Sequence, residues 1–174
     1  MMDIKVIRQA IVEALPIETS NYGAAPSQKQ MYVPPAHIKA LRLECNLVVG
    51  GRGVGKSFWT AVLGSPTLPA TLGHAVTELE RTDVRIGFSV ASDIQAYPDG
   101  DVFANLLAAG TTPYDVWRAV LARWFRDVLN DPTADKTWRE TVDWVRNQPE
   151  AFAKLARDAN LQFERNGRLG LIVF

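Results

Sequence analysis

Eight consecutive residues combine four glycines with a lysine and a serine, in the pattern Gly-x-x-x-x-Gly-Lys-Ser. A triphosphate carries several negative charges on a narrow chain of oxygens. Backbone N–H groups can surround such a chain only where the polypeptide curls tightly and no Cβ intrudes, and glycine permits both. The pattern therefore predicts a phosphate-binding loop. The eight residues are Gly50, Gly51, Arg52, Gly53, Val54, Gly55, Lys56 and Ser57.

Each polar side chain of this loop has an expected role. Lys56 is a point charge that can neutralise the β- and γ-phosphates, and it is the candidate catalytic residue. The Ser57 hydroxyl is the candidate ligand of Mg²⁺. Phe58 is expected to offer a helix N-terminal amide, whereas the Arg52 side chain is expected to face solvent or a partner. The candidate nucleotide-binding residues are Gly50, Gly51, Arg52, Gly53, Val54, Gly55, Lys56, Ser57 and Phe58.

The residues on either side of the loop supply the context that the motif requires. Leu43–Val49 has the pattern of a first, buried strand, and its segment Cys45–Val49 leads directly into the loop. Ser57–Leu63 has the pattern of a helix that leaves it, and Gly64 stands where a helix C-cap glycine is expected. This order of strand, loop and helix favours a phosphate site over the alternative, a glycine-rich turn that binds nothing.

Composition limits the remaining possibilities. The chain has 174 residues, 47% of them hydrophobic, and a formal net charge of zero. A neutral chain gives no support to nucleic-acid or anionic-membrane binding. Cys45 is the single cysteine, which excludes an internal disulfide and a zinc site built from several cysteines; it is expected to pack in the first strand. Without an apolar run near 18 residues or a secretory signal, a cytoplasmic location is predicted.

Periodicity divides the chain into two predicted parts. Residues 1–35 form an N-terminal helix, Asp3–Leu15, and a linker rich in proline and glycine. Residues 36–174 form a nucleotide-binding domain with a helical insertion at about 101–166. Further predicted elements of this domain are a short helix at Ala36–Leu41, a weak helix at Ala70–Glu80 and a second strand at Val84–Val90.

The insertion carries the strongest helix signals of the chain. Asp101 is expected to cap a helix through Ala109 with Gly110 as its stop, and Thr112 with Pro113 to begin the next. The run Thr137-Trp-Arg-Glu140 predicts a capping box, and Pro149 starts a last helix that Gly167 closes. Four tryptophans at helical spacing are expected to pack in the core or against a partner, with a base-stacking surface as the alternative. These are Trp117, Trp124, Trp138 and Trp144.

The chain closes on a third predicted strand, Leu169–Phe174, in which every residue is apolar or glycine. In P-loop proteins a strand of this kind, Walker B, ends in a carboxylate that holds Mg²⁺. Here the sequence stops where that acid is expected, which suggests a fragment of a longer protein, truncated before the acid. The alternative is an ordinary apolar strand. No residue of the chain is assigned the Walker B role.

The stretch from Val48 to Trp59 resembles the Walker A region of bacterial AAA-like and STAND-like ATPases, within the P-loop NTPase superfamily. The resemblance is tight over Leu47–Leu63. It implies an α/β fold, with a three-layer core, a mostly parallel sheet and a helical insertion between strands two and three, present here in incomplete form. In the AAA-like branch a later strand separates the Walker A and Walker B strands, so its absence would leave a gap in the sheet. In the nucleotide-kinase and GTPase branch the two strands are neighbours and pair directly.

The resemblance implies an ATP-binding module of a P-loop ATPase that couples MgATP binding or hydrolysis to conformational change. One alternative is a small P-loop kinase, with Asp101–Asn166 as its lid and acceptor site. Others are a non-catalytic nucleotide-binding switch and a viral DNA-packaging motor. The chain has no Asn-Lys-x-Asp motif, which disfavours GTP. Expected ligands are ATP and Mg²⁺, and expected partners are another protein or a second copy.

Several residues outside the loop are weaker candidates. Tyr32 and Val33 precede the first strand, where adenine contacts occur in the superfamily, but packing is the favoured role. A capping or turn role is favoured for two polar residues at the end of the second strand, Ser89 and Asp93. The two histidines are expected to be structural or surface residues, because they form no metal-ligand pattern with Cys45. They are His37 and His74.

Overall fold

A small parallel sheet connects two helical parts of the chain. The computed structural model describes residues 4–14, 25–28, 31–51, 53–87, 96–131 and 136–173. Its helices are α1 (Ile4–Ala14), α2 (Pro35–Ile38), α3 (Lys56–Gly64), α4 (Leu68–Thr71), α5 (Gly100–Ala108), α6 (Pro113–Val128), α7 (Trp138–Asn147) and α8 (Pro149–Arg165). Two 3₁₀ turns cover Lys39–Leu41 and Thr77–Arg81, and the strands are β1 (Thr82–Ile86) and β2 (Leu169–Val173).

The two strands pair in parallel, with Thr82 opposite Leu169 and Ile86 opposite Val173. A further bond, from the Gly87 N–H to the Val173 carbonyl at 2.7 Å, extends the ladder. The coarse α/β class is therefore confirmed, as is the third predicted strand over its described residues. The second strand begins two residues earlier than predicted and ends at Ile86, while residues 88–90 lie outside the described ranges.

The first predicted strand is wrong. Residues 43–49 form no strand, and a turn bond from the Cys45 N–H to the Arg42 carbonyl stands at the start of the segment. A groove of about 450 Å³ separates the segment from Leu171–Val173 of β2, so neither backbone pairs with the other. Strand hydrogen bonds need a neighbour, and an apolar run alone does not supply one. Leu47 and Val49 are consequently 79% and 84% exposed.

Cys45 is exposed rather than packed in a strand, which corrects a second expectation. Its thiol donates a long hydrogen bond of 3.6 Å to the Leu47 carbonyl, two residues away. The expected burial of Cys45 depended on the predicted strand at residues 43–49, because a residue of this segment is buried only if the segment joins the sheet.

Over the described residues, the apolar interior forms two clusters. The α6 cluster collects the inward faces of α5, α6 and α7, and the α3 cluster lies beneath α3, α4 and the 3₁₀ turns. The α6 cluster comprises Leu106, Val116, Ala119, Val120, Ala122, Trp138, Val142 and Val145. The α3 cluster comprises Leu41, Val62, Leu68, Leu72, Val76 and Leu79.

The packing role predicted for the four tryptophans is confirmed. Trp124 and Trp138 are buried, while Trp117 and Trp144 pack half-buried against the α6 cluster. Two buried arginines lie over these rings: the Arg123 guanidinium carbon is 3.8 Å from the Trp138 ring centre, and that of Arg126 is 4.2 Å from the Trp144 centre. Burial lowers the pKa of both guanidinium groups from the ordinary arginine value.

Local capping explains where several of the described helices begin or end. The Thr112 hydroxyl accepts from the Asp115 N–H at the start of α6, and Thr137 with Glu140 forms the predicted capping box of α7. Gly110 and Gly167 adopt left-handed φ values of 80° and 64° just after α5 and α8, as predicted for helix stops.

Two predicted helix boundaries need correction. The cap of α5 is Asp99, whose carboxylate accepts from the Val102 N–H, so the helix begins before Asp101. The weak helix expected at Ala70–Glu80 is instead the short α4, a turn, and the 3₁₀ turn Thr77–Arg81. The predicted N-terminal helix is confirmed over Ile4–Ala14. None of the described helices is long and apolar enough to cross a membrane.

Candidate phosphate-binding site

Two glycines give the loop its curvature. Gly53 and Gly55 have φ values of 84° and 88°, in the left-handed region that side chains rarely adopt. Gly55 is also the N-cap of α3, and no side chain caps the first turn of that helix. The sequence thus folds into a loop that delivers the chain into a helix whose leading N–H groups lack a side-chain acceptor. Arg52 lies outside the described residues.

Lys56 closes the loop on itself. Its Nζ donates to the Gly50 carbonyl at 2.6 Å and to the Gly51 carbonyl at 2.8 Å. The first helical residue is thereby tied to the first two residues of the motif. The lysine is exposed, so its ammonium group is both at the loop and accessible from solvent.

The loop backbone faces open space at two of its glycines. A Cβ built on Gly51 or Gly53 would meet no atom within 4 Å. At Gly50 the same Cβ would lie only 2.6 Å from Cγ2 of Val54, so the loop requires glycine there for close approach. The space beside these two glycines is therefore open to an anion arriving from solvent.

Ser57 follows Lys56 in the first turn of α3 and is exposed. Among the described residues no group of three or more His, Cys, Asp or Glu side chains is placed to hold a metal ion. Mg²⁺ bound to a nucleotide commonly keeps several waters and takes only one or two protein ligands besides the phosphates. The exposed Ser57 hydroxyl fits the role of such a single protein ligand.

Packing against the sheet fixes the rest of α3. Val62 is fully buried in the α3 cluster, and the Phe58 and Trp59 rings meet edge to face with centres 5.1 Å apart. Gly64 is the last helical residue rather than the C-cap, which is Ser65. A Cβ on Gly64 would lie 2.8 Å from Cγ1 of Ile86, so this glycine allows the helix to approach β1 closely.

Ion pairs hold β1 on both flanks. Arg168 lies 2.6 Å from Asp83, and Arg85 lies 2.6 Å from Asp127 at the end of α6. The hydrogen bond to Asp83 raises the pKa of the Arg168 guanidinium above its usual range. The Arg85–Asp127 pair connects the sheet to α6, and the Arg168–Asp83 pair connects β1 to the residue just before β2.

A groove opens beside the lysine. The groove that separates residues 43–48 from β2 is also bordered by Lys56, Thr60 and Leu63 of α3. Its floor at Leu171–Val173 is apolar. The predicted phosphate site thus stands at the rim of a cavity rather than on a flat surface.

The structure assigns packing to some of the weaker candidates. Val33 packs against the α3 cluster as favoured, but Tyr32 is 74% exposed. His37 is structural, as predicted, because its Nδ1 accepts a hydrogen bond from the Trp59 indole N–H at 2.9 Å, and His74 is exposed. Ser89 and Asp93 lie outside the described residues.

Sequence reasoning missed Trp59, whose indole lies beside Gly55 at the end of the loop. Its position at the fourth residue after Gly55 is the one available signal, because residues four apart meet on a helix.

No protein-family model, curated protein or solved structure matches this chain. The functional assignment therefore depends on the loop and its surroundings.

Proposed function

We propose that the chain is the ATP-binding module of a P-loop ATPase, which binds MgATP through Gly50–Ser57 and couples binding or hydrolysis to conformational change. The observation that carries the proposal is the loop itself: left-handed Gly53 and Gly55 lead into α3, with the Lys56 ammonium held at the loop. The finer fold proposed is part of a P-loop NTPase core, to which the parallel pair β1–β2 and the helices between them belong.

Binding would exchange one set of lysine partners for another. The Lys56 ammonium now bonds the carbonyls of Gly50 and Gly51. A phosphate oxygen carries more negative charge than a carbonyl and makes a stronger, charge-assisted bond with lysine. We expect Lys56 to turn toward the β- and γ-phosphates, while loop N–H groups and the Phe58 amide bond the remaining oxygens.

The groove beside Lys56 supports the ATPase over the kinase alternative. The kinase alternative requires the segment before the loop to pair directly with the last strand. Residues 43–48 instead lie across a groove from Leu171–Val173, as the AAA-like topology requires when its intervening strand is not there. The proposal includes Ser57 as a Mg²⁺ ligand, a protein partner or second copy at the helical region, and action in the cytoplasm, where ATP and Mg²⁺ are available.

Titration calorimetry with MgATP tests the site. Lys56→Ala removes the ammonium group and should weaken binding by at least about tenfold, equivalent to about 1.4 kcal/mol. Lys154→Ala is the matched control, since Lys154 is an exposed lysine of α8 that pairs with Asp158. It should bind as the parent chain does. Equal affinity of the Lys56→Ala variant and the parent would refute the proposal.

The metal role and the reaction are tested in the same samples. Ser57→Ala should lose affinity for MgATP but not for ATP in the presence of a chelator, because the hydroxyl acts through the ion. Free phosphate indicates hydrolysis, phosphate on an added acceptor indicates the kinase alternative, and tight binding without turnover indicates a nucleotide switch.

A further inference from the structure

A hydrogen bond joins two elements that are distant in sequence and meet at the loop. The Trp59 indole Nε1 of α3 donates to His37 Nδ1 of α2 at 2.9 Å. The two rings are edge to face, with centres 5.8 Å apart and planes at 81°. The contact is partly buried, where a lost hydrogen bond is not fully replaced by water.

The same indole borders the glycine that starts α3. A Cβ built on Gly55 would lie 4.0 Å from both Cδ1 and Nε1 of Trp59, at ordinary contact distance. The Trp59 N–H also donates to the Gly55 carbonyl at 3.0 Å. The Trp59 backbone therefore bonds Gly55 directly, while its indole lies beside Gly55 with room for a methyl group between them. Gly55, with its left-handed φ, immediately precedes the lysine.

Helix α2, which carries His37, is anchored to the α3 cluster. Ile38, next to His37, packs on the α3 cluster, and Leu41 of the following turn is a buried member of it. The backbone of His37 is thus fixed to the same core as α3. Acceptance at Nδ1 requires the neutral imidazole with its proton on Nε2, so the contact also specifies the tautomer.

We propose that His37 is a positioning residue for the phosphate-binding loop, holding the Trp59 indole beside Gly55 at the start of α3 and so directing Lys56. The inference rests on the proposed function, because its consequence is phosphate affinity. His37 makes no expected contact with phosphate and acts only through Trp59. Loss of the acceptor frees the indole to change rotamer, which loosens Gly55 and weakens nucleotide binding without removing a ligand-binding group.

A pair of substitutions at one position tests the acceptor. His37→Asn places an amide acceptor where the imidazole has Nδ1, and His37→Leu fills similar space without one. His74→Leu is the control at the other, exposed histidine. The leucine variant should bind MgATP about threefold to tenfold more weakly, which corresponds to the loss of one neutral hydrogen bond. The asparagine variant should bind with most of the affinity of the parent chain.

A spectroscopic readout separates positioning from general destabilisation. The indole ¹H–¹⁵N resonance of Trp59, assigned by its disappearance in Trp59→Phe, should move upfield in His37→Leu and return toward its original position in His37→Asn. The Gly55 and Lys56 amide resonances should move with it. If His37→Leu fails to fold, Trp59→Phe serves instead, since it removes the donor and keeps an aromatic ring.

The outcomes distinguish the two proposals. A parent chain that binds MgATP, together with a folded His37→Leu variant of equal affinity, overturns the positioning role and leaves the nucleotide site standing. A parent chain that does not bind refutes the proposed function. In that case the Gly55 and Lys56 resonances decide the remaining question: unchanged positions in His37→Leu would show that His37 does not position the loop.

Discussion

The helical region, residues 100–165, and the segment just before the loop, residues 45–49, differ in how far their apolar residues are buried. Val116, Val120 and Val145 of the helical region are fully buried. Leu47 and Val49, just before the loop, are mostly exposed. A helix satisfies its backbone within itself and needs a neighbour only for its apolar face. A strand needs a neighbour for its backbone as well, and the segment before the loop has none among the described residues.

The largest expected effect comes from removing an aromatic ring where the helical region meets the sheet. Phe163 of α8 is 7% exposed, and its ring centre lies 5.6 Å from that of Trp124. Phe163→Ala should lower the free energy of unfolding by about 3–5 kcal/mol, and Leu47→Ala should change it by less than about 0.5 kcal/mol. Urea unfolding followed by circular dichroism measures both. Similar losses in the two variants would erase the contrast between the regions.

A second comparison adds a methyl group instead of removing a ring. A Cβ on Gly170 of β2 would lie 2.7 Å from Cε2 of Phe163 and 3.1 Å from Cη2 of Trp124. Gly170→Ala should therefore cost about 1–3 kcal/mol of stability through overpacking. Gly51→Ala, where the added atom meets nothing, should leave thermal unfolding nearly unchanged. A stable Gly170→Ala variant would mean that β2 packs less closely than these distances indicate.

The capping box of α7 is expected to contribute less and to depend on pH. Thr137→Ala should cost about 1 kcal/mol at pH 7. Hydrogen bonds from Thr137 lower the pKa of Glu140. Because the pKa of Glu140 is lower in the folded chain, ionised Glu140 stabilises the fold at pH values above its ordinary pKa of 4.5. This stabilisation is lost as the pH falls through the pKa that Glu140 has in the folded chain. Urea midpoints should therefore show a smaller difference between parent and variant in acid; a difference that grows below pH 4.5 would contradict this sign.

The smallest effect is expected at Cys45. Because the thiol is exposed, a thiol reagent should label the native chain within a few-fold of the rate in denaturant. Strong protection in the native chain would indicate that the segment before the loop is buried after all. The chain has a single cysteine, so the reaction needs no assignment.

Sequence patterns predict the elements that depend on contacts between near neighbours in the chain, and they miss those that depend on contacts between distant residues. Thr137 with Glu140 and Pro113 after Thr112 act over three residues or fewer, and their helices form as predicted. Gly64 was predicted to be a helix C-cap because it is a glycine after an apolar run. Glycine is needed there because Ile86 of β1 lies close by, and no local sequence pattern reveals that contact. The loop glycines were identified because their conformations are local. The bond between His37 and Trp59 joins residues 22 apart and could not be foreseen.

The parallel pairing of β1 with β2 bears on the order in which the chain folds. Thr82 pairs with Leu169 across an intervening stretch of chain that contains α5, α6, α7 and α8. Helices form from near neighbours, whereas joining distant strands costs chain entropy before any ladder bond repays it. We therefore expect the helical region to form first and the sheet beneath the loop to assemble last. If the proposed nucleotide site forms together with the sheet, MgATP binding should return later in refolding than the circular dichroism of the helices.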